Sequence, residues 1–249
     1  MIGKSPFEGV RRVVLFNWPL YALALAFAAA LLVVGTVSSL PIWVRILAWC
    51  GAAGALWQAA ASLAASYWVY DASPLHSWSW LKKHVPAASN IINVHAGYDE
   101  TSESLARAYP GASLQVVDFY EALPKREPSI EKAQKLFPGK YAPISRSISG
   151  WPVAEDSADL IVLAFAAHEL REPTGREAIF REAARVLAPH GKVVLVEHLR
   201  DMANFVAFGP GFMHFIGENE WRRCPAVAHL RLENHFRITP FVGVFVLCK

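Results

Sequence analysis

From Val13 to Leu40 the chain carries no charged side chain, and from Pro41 to Tyr70 the only charge is Arg45 and the only other strongly polar side chain is Gln58. Each run is long enough to cross a hydrocarbon core of about 30 Å as a helix. The short Ser-Ser-Leu-Pro turn between them forces antiparallel neighbours, so residues 13–70 read as a two-helix transmembrane hairpin behind a tail of residues 1–12. Gly51, Gly54, Ala55, Ala59 and Ser62 put small side chains where helices can approach closely. The same faces leave room for self-association. Gln58, at mid-depth, is expected to bond to the partner helix rather than to mark a substrate path. Asn17, Trp18 and Pro19 suit an interface. A cleaved signal peptide ending near Val37-Ser38-Ser39 is the competing reading. It fits less well, because a second apolar run follows at once and the first exceeds a usual signal core. Lys4, Arg11 and Arg12 before the hairpin and Lys82 and Lys83 after it, against a nearly uncharged turn, put both ends in the cytoplasm.

Tyr67, Trp68, Tyr70, Trp78 and Trp80 crowd the exit of the second run. They fit an aromatic belt, making residues 71–86 a membrane-proximal linker, or else the rings of Trp78 and Trp80 pack on the domain that follows.

That domain, residues 87–249, changes period. Ile91 to Val94 is a short apolar run, Gly97 centres a turn, Thr101 or Ser102 opens a helix, and Leu114 to Val117 is a second apolar run ending in Asp118. Strand, loop, helix, strand is half of a nucleotide-binding sheet, in which the loop and helix N-terminus meet the ligand and the closing acid holds ribose hydroxyls. Ser129 to Phe137 reads as an amphipathic helix, Tyr141 to Val153 as a weak strand, and Ala158 to Phe165 as a buried parallel strand. A helix from about Gly175 to Leu187, a strand from Lys192 to Glu197, and a last hairpin from about Leu230 to Cys248 complete the order.

Asn93-Val-His-Ala-Gly-Tyr-Asp99, followed by Leu105-Ala106 and Pro110, resembles the first motif of class I S-adenosylmethionine-dependent methyltransferases. Arg185-Val-Leu-Ala-Pro-His-Gly191 resembles that family's turn before its fifth strand. The resemblance covers about Ile91 to Cys248 and implies an α/β fold: a Rossmann-like, mostly parallel seven-stranded sheet with helices on both faces and an antiparallel last strand. It implies S-adenosylmethionine as cofactor, held by His95, Gly97, Tyr98, Asp99, Asp118 and Phe119, with Ser147 and Ile148 beside the adenine. Two expected glycines are His95 and Asp99, and the expected acid near the adenine is Ser147.

On that sheet His168 and Glu169 follow one strand and Glu197, His198 and Arg200 another, all at one rim with His95 and Asp99. These are the candidate catalytic residues, a crowd of titratable groups suited to acid/base work. Methyl transfer needs an in-line approach, exclusion of water and a base for an O- or N-nucleophile, which His168 or His198 can supply. Ion pairing of Glu169 with Arg171, and a structural cluster around Glu197 to Asp201, are the bland alternatives. Phe205 to Phe215, aromatic and Gly-rich, lids an apolar pocket or lies on the bilayer.

Composition narrows the partners. Hydrophobic residues at 54% concentrate in the first 70 positions. A net charge of +3 without a basic run gives no support for nucleic-acid binding. Cys50, Cys224 and Cys248 have neither pairing nor metal-like spacing, and no residue is assigned to a metal. The reading is a membrane-anchored methyltransferase acting on a hydrophobic or lipid-like acceptor from the bilayer. Two others remain: a metal-dependent hydrolase or lyase using the same His and acidic residues, and a non-catalytic membrane-interaction module.

Overall fold

The computed structural model describes residues 6–249; Lys4, counted above for orientation, lies outside the described residues. Two long helices, α1 (Glu8–Thr36) and α2 (Ile42–Ser66), pack antiparallel. Both are long and apolar enough to cross a membrane, and only 11% of each apolar window is buried. Helices of a soluble core would be mostly covered, whereas here Leu20, Leu23, Val33, Ile42, Trp43 and Trp57 are each more than half exposed. Helix α1 starts earlier than the charge pattern suggested, taking in Arg11 and Arg12.

The hairpin is closed at both ends by polar contacts. At its base the Asp71 carboxylate accepts the N–H groups of Gly9 (2.7 Å) and Val10 (2.9 Å), satisfying orphan donors of the first turn of α1. At its tip Arg45 donates to the Gly35 carbonyl (2.9 Å) and lies over the Trp49 ring. Between them Tyr21 and Ser62 hydroxyls bond at 3.1 Å.

The sheet has six strands in the order β2-β1-β3-β4-β6-β5: β1 (Asn90–His95), β2 (Ser113–Asp118), β3 (Ala158–Ala164), β4 (Leu187–His198), β5 (Arg231–Thr239) and β6 (Val242–Cys248). All pairings are parallel except those of β6, which is reversed between β4 and β5. The expected seventh strand is reduced to one bridge, Val117 with Ser145. The segment around it is broken by Pro143, Gly150 and Pro152 and cannot sustain a ladder.

Alternate strand residues feed two cores. Ile92, Val94, Ile161, Leu163, Val193 and Leu195 face α5 (Pro173–Val186) and α7 (Glu218–Val227), while Ile91, Leu160, Val162, Val194 and Val244 face the other way. That second face is covered by α3 (Ser102–Ala108) and by the stretch read as a linker. Trp78 is fully buried, its indole N–H donating to Ser104 Oγ (2.8 Å), and Trp80 donates to the Leu75 carbonyl (3.1 Å). These two rings belong to the domain core, not to a bilayer belt, and the short turns around Leu75 and Leu81 replace a second layer of long helices. Arg185 secures the far edge, donating to the carbonyls of Val153 and Trp151 (3.1 Å each) and to Glu182.

The hairpin also docks on the domain. Pro19 has no N–H and clashes with a carbonyl one turn back, so the helix kinks at Asn17 and the Leu15 carbonyl is freed. Lys132, on α4 (Pro128–Leu136), donates to that carbonyl at 2.6 Å. Gln58 bonds to the domain rather than to its helical partner: its amide donates to the Ala207 carbonyl of α6 (Met202–Phe208) at 2.8 Å.

Candidate active site

The order of strands reverses between β1 and β3, and in open α/β sheets the crevice at that switch, beyond the strand C-termini, takes the ligand. A cavity of about 940 Å³ lies there. Its floor is the strand rim, with His95 and Ala96 after β1, Ala164 and Phe165 after β3, and His198 ending β4. Its roof is the hairpin, through residues such as Arg12, Phe16, Tyr21 and Gln58. No hairpin residue was among the sequence-derived candidates.

His168, Glu169 and Glu197 converge as expected, but their roles differ. Glu197 is fully buried and bonds twice to His168, accepting the backbone N–H (3.2 Å) and lying 2.6 Å from ring Nδ1. On the far side of the ring, His168 Nε2 is 3.2 Å from Glu169 Oε1. Burial alone would depress the His168 pKa, yet the two carboxylates outweigh it and lift it to about 10. Burial pushes the Glu169 carboxyl up, but its bonds to His168 and His214 hold it well below the usual range. His168 is therefore an imidazolium at neutral pH and takes up no further proton.

His198 is the opposite case. Desolvation drops its pKa to about 4, the Phe241 carbonyl opposing and the His168 charge reinforcing the shift. Its Nδ1 lies 3.0 Å from the Phe241 carbonyl, which accepts that N–H, so Nε2 is left with its lone pair, 3.2 Å from the Tyr70 hydroxyl. The Phe215 ring stacks on it at 4.9 Å. Arg200 is not at the cavity. Its guanidinium donates to the carbonyls of Phe215 (2.8 Å) and Met213 (2.9 Å), strapping down the segment that carries His214.

The residues proposed around a cofactor divide. His95 and Tyr98 line the cavity. The ring of His95 is buried, which lowers its pKa against the pull of Asp118, and its Nδ1 has no hydrogen-bond partner, standing 3.7 Å from Asp118. Asp99 turns away, its carboxylate accepting the N–H groups of Thr101 (3.2 Å) and Ser102 (3.0 Å) at the start of α3. Asp118 accepts the N–H groups of Gly97 (2.8 Å) and Tyr120 (3.0 Å), fixing the loop. Gly97 has φ +87°, and a Cβ there would meet Ile130 at 2.7 Å and Tyr120 at 2.9 Å. Phe119 is fully buried in the core and offers a ligand no surface. Ser147 is exposed and Ile148 packs on the core from outside, neither lining the cavity.

Residues 92–195 match a family model described as a methyltransferase domain. The sheet has the Rossmann-like fold of methyltransferases. No curated protein sequence matches the chain. Among solved structures, the fold is similar to a SAM-dependent methyltransferase from Aquifex aeolicus, with a TM-score of 0.52 at 16% identity over 70% of this chain and 91% of that one. The pyocyanin biosynthetic protein PhzM gives 0.56 at 16% identity over 97% and 73%. A putative O-methyltransferase from Nostoc punctiforme gives 0.54 at 17% identity over 96% and 73%. At such identities these likenesses establish the fold, with β6 as the reversed strand of the methyltransferase sheet.

Proposed function

We propose that this protein is an integral membrane methyltransferase that moves a methyl group from S-adenosylmethionine to an apolar, lipid-like acceptor entering from the bilayer. The observation that carries this reading is the shared cavity: the methyltransferase rim forms its floor and the apolar hairpin its roof. Helices α1 and α2, about 38–44 Å long at 1.5 Å per residue, exceed a hydrocarbon core of about 30 Å, so the domain would rest on the membrane with the cavity mouth at headgroup level. Exposed Met202, Phe205, Val206 and Met213, on the lid beside α2, suit the same surface. Arg11, Lys82 and Lys83 favour the cytoplasmic side.

S-adenosylmethionine is the methyl donor, supplying a sulfonium already activated toward a nucleophile. His95 and Tyr98 would hold its methionine half at the end of β1, where the cavity is open. The nucleoside half belongs beside Asp118, which is buried and holds the N–H groups of Gly97 and Tyr120; that loop must shift for the carboxylate to reach the ribose. His198 Nε2, neutral and on the cavity wall, takes the acceptor's proton once the acceptor hydroxyl displaces the Tyr70 hydroxyl from that nitrogen, while the Phe241 carbonyl orients the ring through Nδ1–H. The aromatic lid excludes water.

The test uses full-length protein in nanodiscs of mixed lipids with methyl-labelled S-adenosylmethionine. Label should move into the organic-extractable fraction, and His198→Asn should slow that transfer by about 10²–10⁴-fold, the usual contribution of a positioned base. Label found only in the aqueous phase would remove the lipid acceptor, and absence of saturable cofactor binding would remove the donor.

A further inference from the structure

Three potential metal ligands meet on the cavity wall. His168 Nε2 and His214 Nε2 each lie 3.2 Å from the same oxygen, Glu169 Oε1, and no two of the three ligand atoms are more than 4.8 Å apart. Ligands held at about 2.0–2.1 Å around a tetrahedral ion stand about 3.3 Å from one another. Two of the three edges already have that length, and the third closes by a shift of His214, the last residue of the short helical segment Gly209–His214. We propose that His168, Glu169 and His214 bind one first-row divalent cation, with an open coordination position toward the cavity.

Two histidines and one carboxylate with an open position is a donor set used by catalytic zinc and by non-haem iron sites. The arrangement behind the ligands supports the assignment independently. A metal-bound histidine ordinarily donates its other ring N–H to a carboxylate, which fixes tautomer and orientation. Glu197, fully buried, does this to His168 at Nδ1 (2.6 Å) while also holding its backbone N–H. Glu169 is itself buried, with a side chain 5% exposed, so its charge is not neutralised by water. An ion would displace the Nε2 proton of His168, and the remaining competing cation is Arg171, which touches the His214 ring and stands 3.8 Å from Glu169 Oε2. Its side chain is 37% exposed and would have to swing to solvent for an ion to occupy the cluster. All three ligands line the cavity, so the open position faces an acceptor oxygen: the ion would bind and orient a hydroxyl or enol group, selecting acceptors that carry one.

The site does not depend on the methyltransferase reading, and its test needs no turnover. Full-length, tag-free protein in non-ionic detergent is stripped with EDTA, incubated with Co²⁺ or Zn²⁺ and desalted. Bound metal is counted by plasma mass spectrometry, and the Co²⁺ form is examined for visible d–d bands. The expected result is close to one ion per chain, with bands of a four- or five-coordinate site. His214→Ala and Glu169→Gln should each cut retained metal at least tenfold, Glu197→Gln should weaken affinity about 10–100-fold without abolishing it, and His190→Ala, at the exposed start of β4, should change nothing. Near-UV circular dichroism establishes that each variant is folded. Wild-type protein that retains no more Co²⁺ than folded His214→Ala overturns the proposal, whatever the cofactor titration shows.

Discussion

Replacing His198 by Asn tests whether a neutral imidazole is held at the cavity wall. The amide keeps a donor for the Phe241 carbonyl while removing the titrating ring. In the folded protein the His198 pKa is depressed from 6.5 to about 4. Because the folded value lies below the unfolded one, the unfolded chain takes up the proton first as pH falls. Stability from this group is therefore fully present above pH 6.5 and is lost progressively toward pH 4. For one site with those two values, linkage gives a loss of about 2 kcal/mol between pH 7 and pH 5. His168 works the other way: its raised pKa adds stability as pH falls from about 10 toward 6.5, and the tail of that gain overlaps the interval from pH 7 to pH 5, so wild type alone cannot isolate the effect. The groups acting on His198 are Tyr70 from the end of the hairpin, His168, Asp201 and Asn204, and all remain in the variant. The assay is denaturant unfolding in detergent at pH 7 and pH 5, taken as a double difference. Wild type should lose about 2 kcal/mol more than His198→Asn on acidification. A double difference under about 0.5 kcal/mol would mean that His198 titrates near its ordinary value, and the assignment of base and imidazolium between His198 and His168 would fall.

Two other perturbations test how the rim is held. Gly97→Ala places a methyl group at φ +87° against Ile130 and Tyr120, so left-handed strain and overpacking together should cost roughly 2–4 kcal/mol in denaturant unfolding; a loss below about 0.5 kcal/mol would show that α4 does not rest on the loop. Glu220 is held down to about 2 by Arg223 and Arg176, and Arg176 in turn donates to the carbonyls of Leu170 and Arg171 beside the His168 turn. Its folded pKa lies below the unfolded one, so its contribution is present above about pH 4.5 and disappears as pH falls toward 2. Discounted for solvent screening, Glu220→Gln should lose about 1–2 kcal/mol at pH 7 and show a flatter acid limb than wild type. An acid limb identical to wild type would place the anchor of that turn elsewhere.

What periodicity could reveal about this fold was set by how many residues a pattern spans. The two apolar runs, the β1–α3–β2 unit and the continuous apolar β3 each extend over enough positions to set a period, and each folds close to where the pattern places it, α1 starting at Glu8 rather than Val13. The lost strand around Ser145 is the complementary case: two prolines and a glycine left too little pattern for a ladder to form. Trp78 and Trp80 were undecided for a different reason. A headgroup belt and a half-polar core pocket select the same amphipathic rings, and only a partner, Ser104 or the Leu75 carbonyl, separates them.

The site shows the same division more sharply. Rim position was legible, because residues ending parallel strands must gather at one edge; His95, His168 and His198 do so. Function within the rim was not legible, since two histidines of identical composition are driven in opposite directions by what faces them, Glu197 and Glu169 for one and the Phe241 carbonyl for the other. Arg200 and Asp99 carry suitable chemistry but spend it on backbone groups, and short-range hydrogen bonding of that kind leaves no periodic signature. The roof was the least visible part. Gln58 reaches a carbonyl 149 residues away and Lys132 one 117 residues away, so the polar outliers of an apolar hairpin announce that something binds them without saying what. Gln58 and the Pro19 kink are the places where a long apolar helix needs a partner from outside the pair. In this chain both find it on the α/β domain, which is why hairpin and pocket are built together.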